Sequence, residues 1–366
     1  MSFSSIPIFD LEQAFKEETR QKFLGELCDA LISVGFLLLT NFEKYGPTTK
    51  DFEDITRQAA DFFVLPQKVK DEVDMINSPH FLGYTKMGNE ITSGRVDWRE
   101  QIDLATELSA PLESEPLYRQ LEGPNLWPDE NYIPHFRECV TQYISKMTSL
   151  SKLFSALVAE AIGIAPKELE MYFKDNQQCK MKIIAYPPKK PDQIGKEEQG
   201  VGPHKDSDFL TFVYQASGHK DALQVQNFEG KWVSVDNTPG SLVVNVGQTL
   251  EAITCGVCKA TIHRVLRPKE GSGTRLSIPF FQTINLDINK RAISNLPQDI
   301  LRLKEKRDKA MNYWGKETGF QYSPDLDQHP VGYAVFRNRI KSHRDVAAKW
   351  YPDVLKEVLY EINEYR

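Results

Sequence analysis

Gly202-Pro203-His204-Lys205-Asp206 sets an imidazole and a carboxylate two residues apart. In an extended strand, positions i and i+2 point to the same face, so His204 and Asp206 can reach one ion together. A distant partner, His263, sits in Ala260-Thr261-Ile262-His263-Arg264-Val265-Leu266, which also reads as a strand. Two imidazoles and one carboxylate on one face of a metal suit Fe(II) and leave other coordination positions open. Such a site needs two strands side by side, and the surrounding chain supplies short apolar runs. They begin near Lys180, Phe209, Ala222, Lys231, Ser241, Ala260 and Arg275, with Ser217-Gly218, Glu229-Gly230, Pro239-Gly240 and Gly271-Ser272-Gly273 as turn signals between them. Many short strands at close spacing predict a sandwich or barrel.

The strand after His263 carries a second polar pair. Arg275 and Ser277 share one face of Arg275-Leu-Ser-Ile-Pro-Phe-Phe-Gln-Thr-Ile284. A guanidinium fork holds a carboxylate through two parallel hydrogen bonds, and a hydroxyl can add a third. A second His-x-Asp, His219-Lys220-Asp221, follows Ser217-Gly218 and reads as a polar hairpin turn. His80, His135, His329 and His343 lack a carboxylate at ligand spacing and read as surface or structural. Cys255-Gly-Val-Cys258 has the spacing of a zinc knuckle but no second motif to complete it, so those thiols read as incidental.

The order His204, Asp206, His263, Arg275, Ser277 resembles the 2-oxoglutarate- and Fe(II)-dependent dioxygenases. The similarity is to the branch of isopenicillin N synthase and the plant and fungal flavonoid, gibberellin and ethylene-forming enzymes. Ile6-Pro-Ile-Phe-Asp-Leu11, Gly35 to Asn41 and Gly123-Pro-Asn-Leu-Trp127-Pro128 are similar to stretches of that family as well. The resemblance implies a mainly β fold with surrounding helices, built on a double-stranded β-helix or jelly roll. It implies Fe(II) on His204, Asp206 and His263, with O2 and 2-oxoglutarate as co-substrates and ascorbate as a reductant. Arg275 and Ser277 would grip the far carboxylate of 2-oxoglutarate. Tyr186, which precedes Pro187, would lie at its other end; where the family often has Asn two positions earlier, this chain has Ile184. Phe81, Tyr84, Arg95 and Trp98 would stand near the pocket mouth, the alternative being that they anchor loops. Asn245 and Phe280 or Phe281 would line the pocket. The implied reaction couples decarboxylation of 2-oxoglutarate to succinate and CO2 with hydroxylation, desaturation or cyclisation of a small organic molecule of secondary metabolism.

Further out, Ile6 to Asp10 reads as an edge strand, residues 11 to 33 as a helix and Gly35 to Thr40 as a buried strand. Residues 48 to 75 read as an amphipathic helix interrupted at Leu65-Pro66, and 131 to 161 as a long helix with an apolar stripe. The C-terminal third reads as helices, including a final pair at 331 to 341 and 347 to 365. The expected organisation is one catalytic domain over 1-366: a mostly helical support in 1-175, the jelly-roll core in 176-290, and C-terminal helices in 291-366.

With 366 residues and a net charge of −6, the chain has room for a large core and no basic excess for nucleic acid. The longest apolar run, Val34-Gly-Phe-Leu-Leu-Leu39, has strand length and does not span a bilayer. Met1-Ser-Phe-Ser-Ser-Ile-Pro lacks the pattern of a signal peptide. Five cysteines, an odd number, favour a reducing compartment. The expectation is a cytoplasmic monomer acting on a small molecule, with no membrane or nucleic-acid partner. Three rivals stay open: an oxidase of the same fold that does not use 2-oxoglutarate, a non-catalytic ligand-binding relative, and, last, a zinc hydrolase.

Overall fold

The computed structural model describes residues 2–92, 95–189, 199–289, 292–311 and 329–364, and of residues 91, 92, 95 and 362–364 the backbone alone. Its centre is an eight-stranded sheet facing a four-stranded one. In chain order the strands are β1 (Ile8–Asp10), β2 (Phe36–Thr40), β3 (Gly83–Thr85), β4 (Ile91–Thr92), β5 (Arg95–Val96), β6 (Glu100–Ala105) and β7 (Lys180–Tyr186), then β8 (Gln199–His204), β9 (Leu210–Tyr214), β10 (Leu223–Gln226), β11 (Trp232–Ser234), β12 (Leu242–Val246), β13 (His263–Leu266) and β14 (Arg275–Gln282). The large sheet runs β1-β2-β12-β9-β14-β7-β6-β3 and the small one β11-β10-β13-β8, while β4 and β5 form a separate ribbon.

Two-residue alternation explains the layering. On β2, Leu37 and Leu39 point to the helices, whereas Phe36 and Leu38 point between the sheets. On β7, Met181 and Ile183 join the helix-side core, whereas Ile184 and Tyr186 join the inter-sheet one. The helix-side core is covered by α1 (Glu17–Ser33), α2 (Thr49–Phe63) and α4 (Phe136–Ala161), with α5 (Lys167–Glu170) and α7 (Gln298–Met311) at its margin, while the short α3 (Gln67–Glu72) follows α2. Each fully buried Leu or Phe there contributes about 1.5–3 kcal/mol. A third cluster gathers Phe81, Leu121 and Leu286 under α8 (Val331–Ser342), α9 (Arg344–Trp350) and α10 (Pro352–Glu364).

Several boundaries differ from the sequence reading. Residues 11 to 33 are not one helix: a 3-10 turn at Leu11–Phe15 ends at Lys16, and α1 begins afresh. The long helix starts at Phe136, because Pro134 disfavours helix before it and His135 takes a left-handed conformation with φ 64°. Residues 347 to 365 are split between α9 and α10, since Pro352 can open a helix but cannot sit inside one. β3, β6 and α6 (Gln248–Ile253) were absent from that reading. The N-terminal third therefore contributes β1, β2, β3 and β6 to the large sheet in addition to its helices. Among the described residues, no helix is long and apolar enough to cross a membrane.

Candidate active site

His204 and His263 are direct partners across the antiparallel pair of β8 and β13, so register alone brings the two imidazoles together. Their ring centroids are 4.2 Å apart. Asp206 does not share their strand, which corrects the spacing argument. β13 begins at His263, so the ladder offers no further rung, and the chain leaves it after His204. Asp206 is placed instead by the turn onto α6: its carbonyl accepts from the Gln248 amide at 2.8 Å. Gly247 makes that approach possible, because a Cβ there would lie 1.8 Å from the Asp208 carbonyl oxygen.

The ligand atoms converge. Asp206 Oδ1 lies 3.5 Å from His204 Nε2 and 3.6 Å from His263 Nε2, and one ligand atom from each of the three residues falls within 4.8 Å of the others. His204 Nδ1 is 2.7 Å from the Gly202 carbonyl and His263 Nδ1 is 3.3 Å from that of Thr261. A neutral imidazole that donates from Nδ1 presents a free lone pair at Nε2. Burial, reinforced by the neighbouring His204, pushes His263 down to about 4 and keeps it neutral. Burial also works against the charges on His204 and Asp206, yet their mutual contact raises His204, and the two imidazoles hold the Asp206 carboxyl below its usual range. The other carboxylate oxygen, Oδ2, accepts from Thr211 Oγ1 at 2.7 Å and Asn245 Nδ2 at 2.9 Å. Two donors thus turn Oδ1 toward the imidazoles. Two nitrogens and a carboxylate oxygen, each braced from behind, form a donor set that fits Fe(II). Among the described residues no other cluster of His, Cys, Asp or Glu is so arranged, and Cys255 and Cys258 are free thiols.

The three residues line a cavity of about 440 Å³ between the sheets, and Arg275, Ser277 and Tyr186 line it too. Arg275 and Tyr186 are register partners on β14 and β7, with the guanidinium 5.2 Å from the ring centre. Arg275 is 1% exposed. Its Nη2 donates to Gln215 Oε1 at 3.3 Å, while its buried Nη1 has no partner. An orphaned buried guanidinium donor is costly unless an anion completes it, so this end of the cavity fits a ligand carboxylate. Arg99 lines the same cavity, as Tyr186 and Arg275 do.

The other candidates divide. Asn245 lines the cavity and also braces Asp206. Phe281 lines it, on the same face of β14 as Arg275, Ser277 and Pro279, whereas Phe280 points to the helices and packs on Phe212. Phe81, Tyr84 and Trp98 are not part of the lining. Phe81 stacks on Tyr351 in the C-terminal cluster, with ring centres 5.8 Å apart. Tyr84 donates its hydroxyl to Glu100 at 2.7 Å on the edge strand β3. Trp98 lies under the Arg267 guanidinium, 5.0 Å away. Each ring is taken up by packing elsewhere. The Arg95 side chain lies outside the described residues.

From the same N-terminal segment the cavity receives Glu90 and Arg99 instead, 2.7 Å apart. Lys182 Nζ adds a contact to Glu90 at 3.3 Å and one to Asp103 at 3.4 Å. These residues escaped the sequence reading, as did Thr211, Lys180, Asp208 and Arg339. A signal existed: Lys180 and Lys182 alternate with Met181 and Ile183, and Thr211 and Asn245 interrupt otherwise apolar strands. A polar residue on the inward face of a buried strand calls for a partner or a ligand.

Known proteins share the sequence and the fold of this chain. Residues 6–130 match the family model described as "non-haem dioxygenase in morphine synthesis N-terminal", and residues 176–284 match that of the 2OG-Fe(II) oxygenase superfamily. The chain is 42% identical over 357 residues to the 2-oxoglutarate-dependent dioxygenase frbJ of Dothideomycetidae sp. (strain 11243), covering 97% of this chain and 95% of that one. It is 29% identical to a homoarginine-6-hydroxylase of Glycine max, over 78% and 87% of the two chains. In fold it is similar to a full-length Neurospora crassa protein crystallised in complex with alpha-KG, with a TM-score of 0.66 at 22% identity, covering 81% and 91%. The chain thus belongs to the 2OG-Fe(II) oxygenase superfamily, as an Fe(II)- and 2-oxoglutarate-dependent dioxygenase.

Proposed function

We propose that His204, Asp206 and His263 hold the ferrous ion and that Arg275, with Ser277 beside it, anchors the distal carboxylate of 2-oxoglutarate. The observation that carries this reading is the convergence of three braced ligand atoms in one cavity with the unpartnered Nη1 of Arg275. Bound iron, together with O2, supplies the chemistry that couples decarboxylation of 2-oxoglutarate to succinate and CO2 with hydroxylation, desaturation or cyclisation of a small organic substrate. The chain's own residues do the positioning. Thr211 and Asn245 fix the rotamer of Asp206 so that one oxygen faces the ion. Arg275 sets the depth to which the co-substrate enters, and a fixed end makes its approach to the ligands repeatable. The Tyr186 ring, 5.2 Å from the Arg275 guanidinium on the neighbouring strand, packs beside the clamp.

Space remains beyond the clamp for a small molecule, in the part of the cavity lined by Lys180, Lys182 and helix α8. One structural neighbour was crystallised with thymine, and several relatives are named as homoarginine hydroxylases; both names speak for a compact polar substrate. A net charge of −6 and five free thiols support a cytoplasmic monomer with no nucleic-acid partner. The deciding experiment is Asp206→Ala, assayed with purified Fe(II). Loss of 2-oxoglutarate consumption and of succinate is expected; consumption at the parent rate would overturn the assignment. Parent turnover of a substrate without succinate release would favour the oxidase that does not use 2-oxoglutarate.

A further inference from the structure

Most charges around the cavity are already neutralised. Glu90 is held by Arg99 and Lys182, Glu122 by Arg119 and Lys174, and Lys205 by Glu251. Apart from Arg275, which the clamp uses, and the exposed Lys341, two groups of opposite sign are not. Lys180 Nζ donates only to the Leu121 carbonyl, at 2.8 Å. Asp208 accepts only from the Ser207 hydroxyl, at 3.1 Å. Neither makes an ion pair with another described residue, although both line the same cavity. They attract each other through space without touching, and Asp208 attracts Arg339 as well, whereas the two cations Lys180 and Arg339 repel each other. Arg339 projects from α8 with its nearest carboxylate, Asp103, at 3.6 Å, and the adjacent Asn338 carries a buried Nδ2 with no partner.

Unpaired charges inside a protein cost stability, and a pair left apart across a cavity gives up the Coulomb attraction that contact would return. A ligand carrying both signs would recover it. The geometry points to a zwitterionic substrate, a small amino acid with a free ammonium and a free carboxylate. Asp208 takes the ammonium; Lys180 and Arg339, with the Asn338 amide, take the carboxylate. A neutral ring would leave both charges bare. A dianion would find Lys180 and Arg339 but would be repelled by Asp208. This inference rests on the proposed function above, because it places the substrate in the space that the 2-oxoglutarate clamp leaves over.

The test uses the full chain loaded with Fe(II) and 2-oxoglutarate. Succinate release is measured against a panel of free L-α-amino acids and ω-amino acids, each paired with its N-acetyl and methyl-ester derivatives. At least one free amino acid should raise succinate well above the substrate-free rate. Blocking either end should weaken it about 10- to 100-fold, the effect of removing one partner of a charge-assisted contact. Asp208→Asn should raise the KM for that amino acid by a similar factor and shrink its preference over the N-acetyl form. Calorimetry with Ni(II) in place of iron should show the same loss in binding, independent of turnover. Blocked and free forms performing equally would overturn the inference, as would a panel with no active member. If the parent still consumes 2-oxoglutarate slowly without substrate in that case, only the zwitterion is refuted. If it consumes none under any condition, the proposed function falls as well.

Discussion

Thr211→Val removes one of the two donors that orient Asp206 and little else. Thr211 is 1% exposed on β9, and valine keeps its shape while deleting the hydroxyl, so no cavity opens. The lost contact is a 2.7 Å hydrogen bond to Asp206 Oδ2. A hydrogen bond to a charged group is worth about 1.5–3 kcal/mol, and loss of a residue that orients a metal ligand typically weakens binding about 10- to 100-fold, or about 1.4–2.7 kcal/mol. The two estimates coincide, so metal affinity should fall about 10- to 100-fold. Asn245→Leu should act similarly through the 2.9 Å contact to the same oxygen. The double variant should lose less than the sum, because both donors serve one atom. Mn(II) titration followed by electron paramagnetic resonance reads the affinity, and thermal unfolding of the metal-free protein checks that the fold persists. A folded Thr211→Val protein that binds Mn(II) like the parent would refute the reasoning: it would mean that Asp206 is oriented by the backbone of its turn and not by these donors.

Two further outcomes follow from the cavity walls. Arg275→Lys keeps the positive charge but loses the planar fork, so the KM for 2-oxoglutarate should rise about 10- to 100-fold while the metal-free protein unfolds at nearly the parent temperature; an unchanged KM would remove Arg275 from the clamp. Lys180→Met should stabilise the protein by about 1–3 kcal/mol at pH 6, because it deletes an ammonium that no carboxylate contacts. Burial first, then the nearby Arg339, push Lys180 down to about 7, while Asp103, Asp208 and Glu122 draw it up. The unfolded chain keeps that proton to a higher pH than the folded one, so this lysine makes parent stability rise with pH from about 7 toward its ordinary range. The advantage of Lys180→Met should therefore shrink between pH 6 and pH 9 in urea titrations; a gap independent of pH would show that Lys180 titrates normally.

Most strands of the two sheets, though not β3 and β6, and the polar pairs around His204, His263 and Arg275 were legible from local pattern, because strand alternation and turn chemistry act over a few residues. β7 was read with its observed limits, and the choice between Phe280 and Phe281 follows from period two once one inward residue on β14 is known. What local pattern could not reach was the destination of each side chain. Phe81, Tyr84 and Trp98 are aromatic residues in a loop-rich segment, and only their packing against Tyr351, Glu100 and Arg267 shows that they are spent on the scaffold. The position of Asp206 came from a turn clamped by α6 over Gly247, not from a shared strand face.

The sequence by itself determined which chemistry was available: two imidazoles, a carboxylate and a guanidinium, spaced along strands that had to pair. Tertiary structure decided which oxygen of Asp206 faces the imidazoles, which donors turn it there, and which charges remain unmatched in the cavity. Those outcomes depend on contacts such as Asp206 with Asn245, 39 residues apart, and on residues from α8 far along the chain. Spacing along the backbone carries no information about such meetings until the sheets close and exclude water from between them.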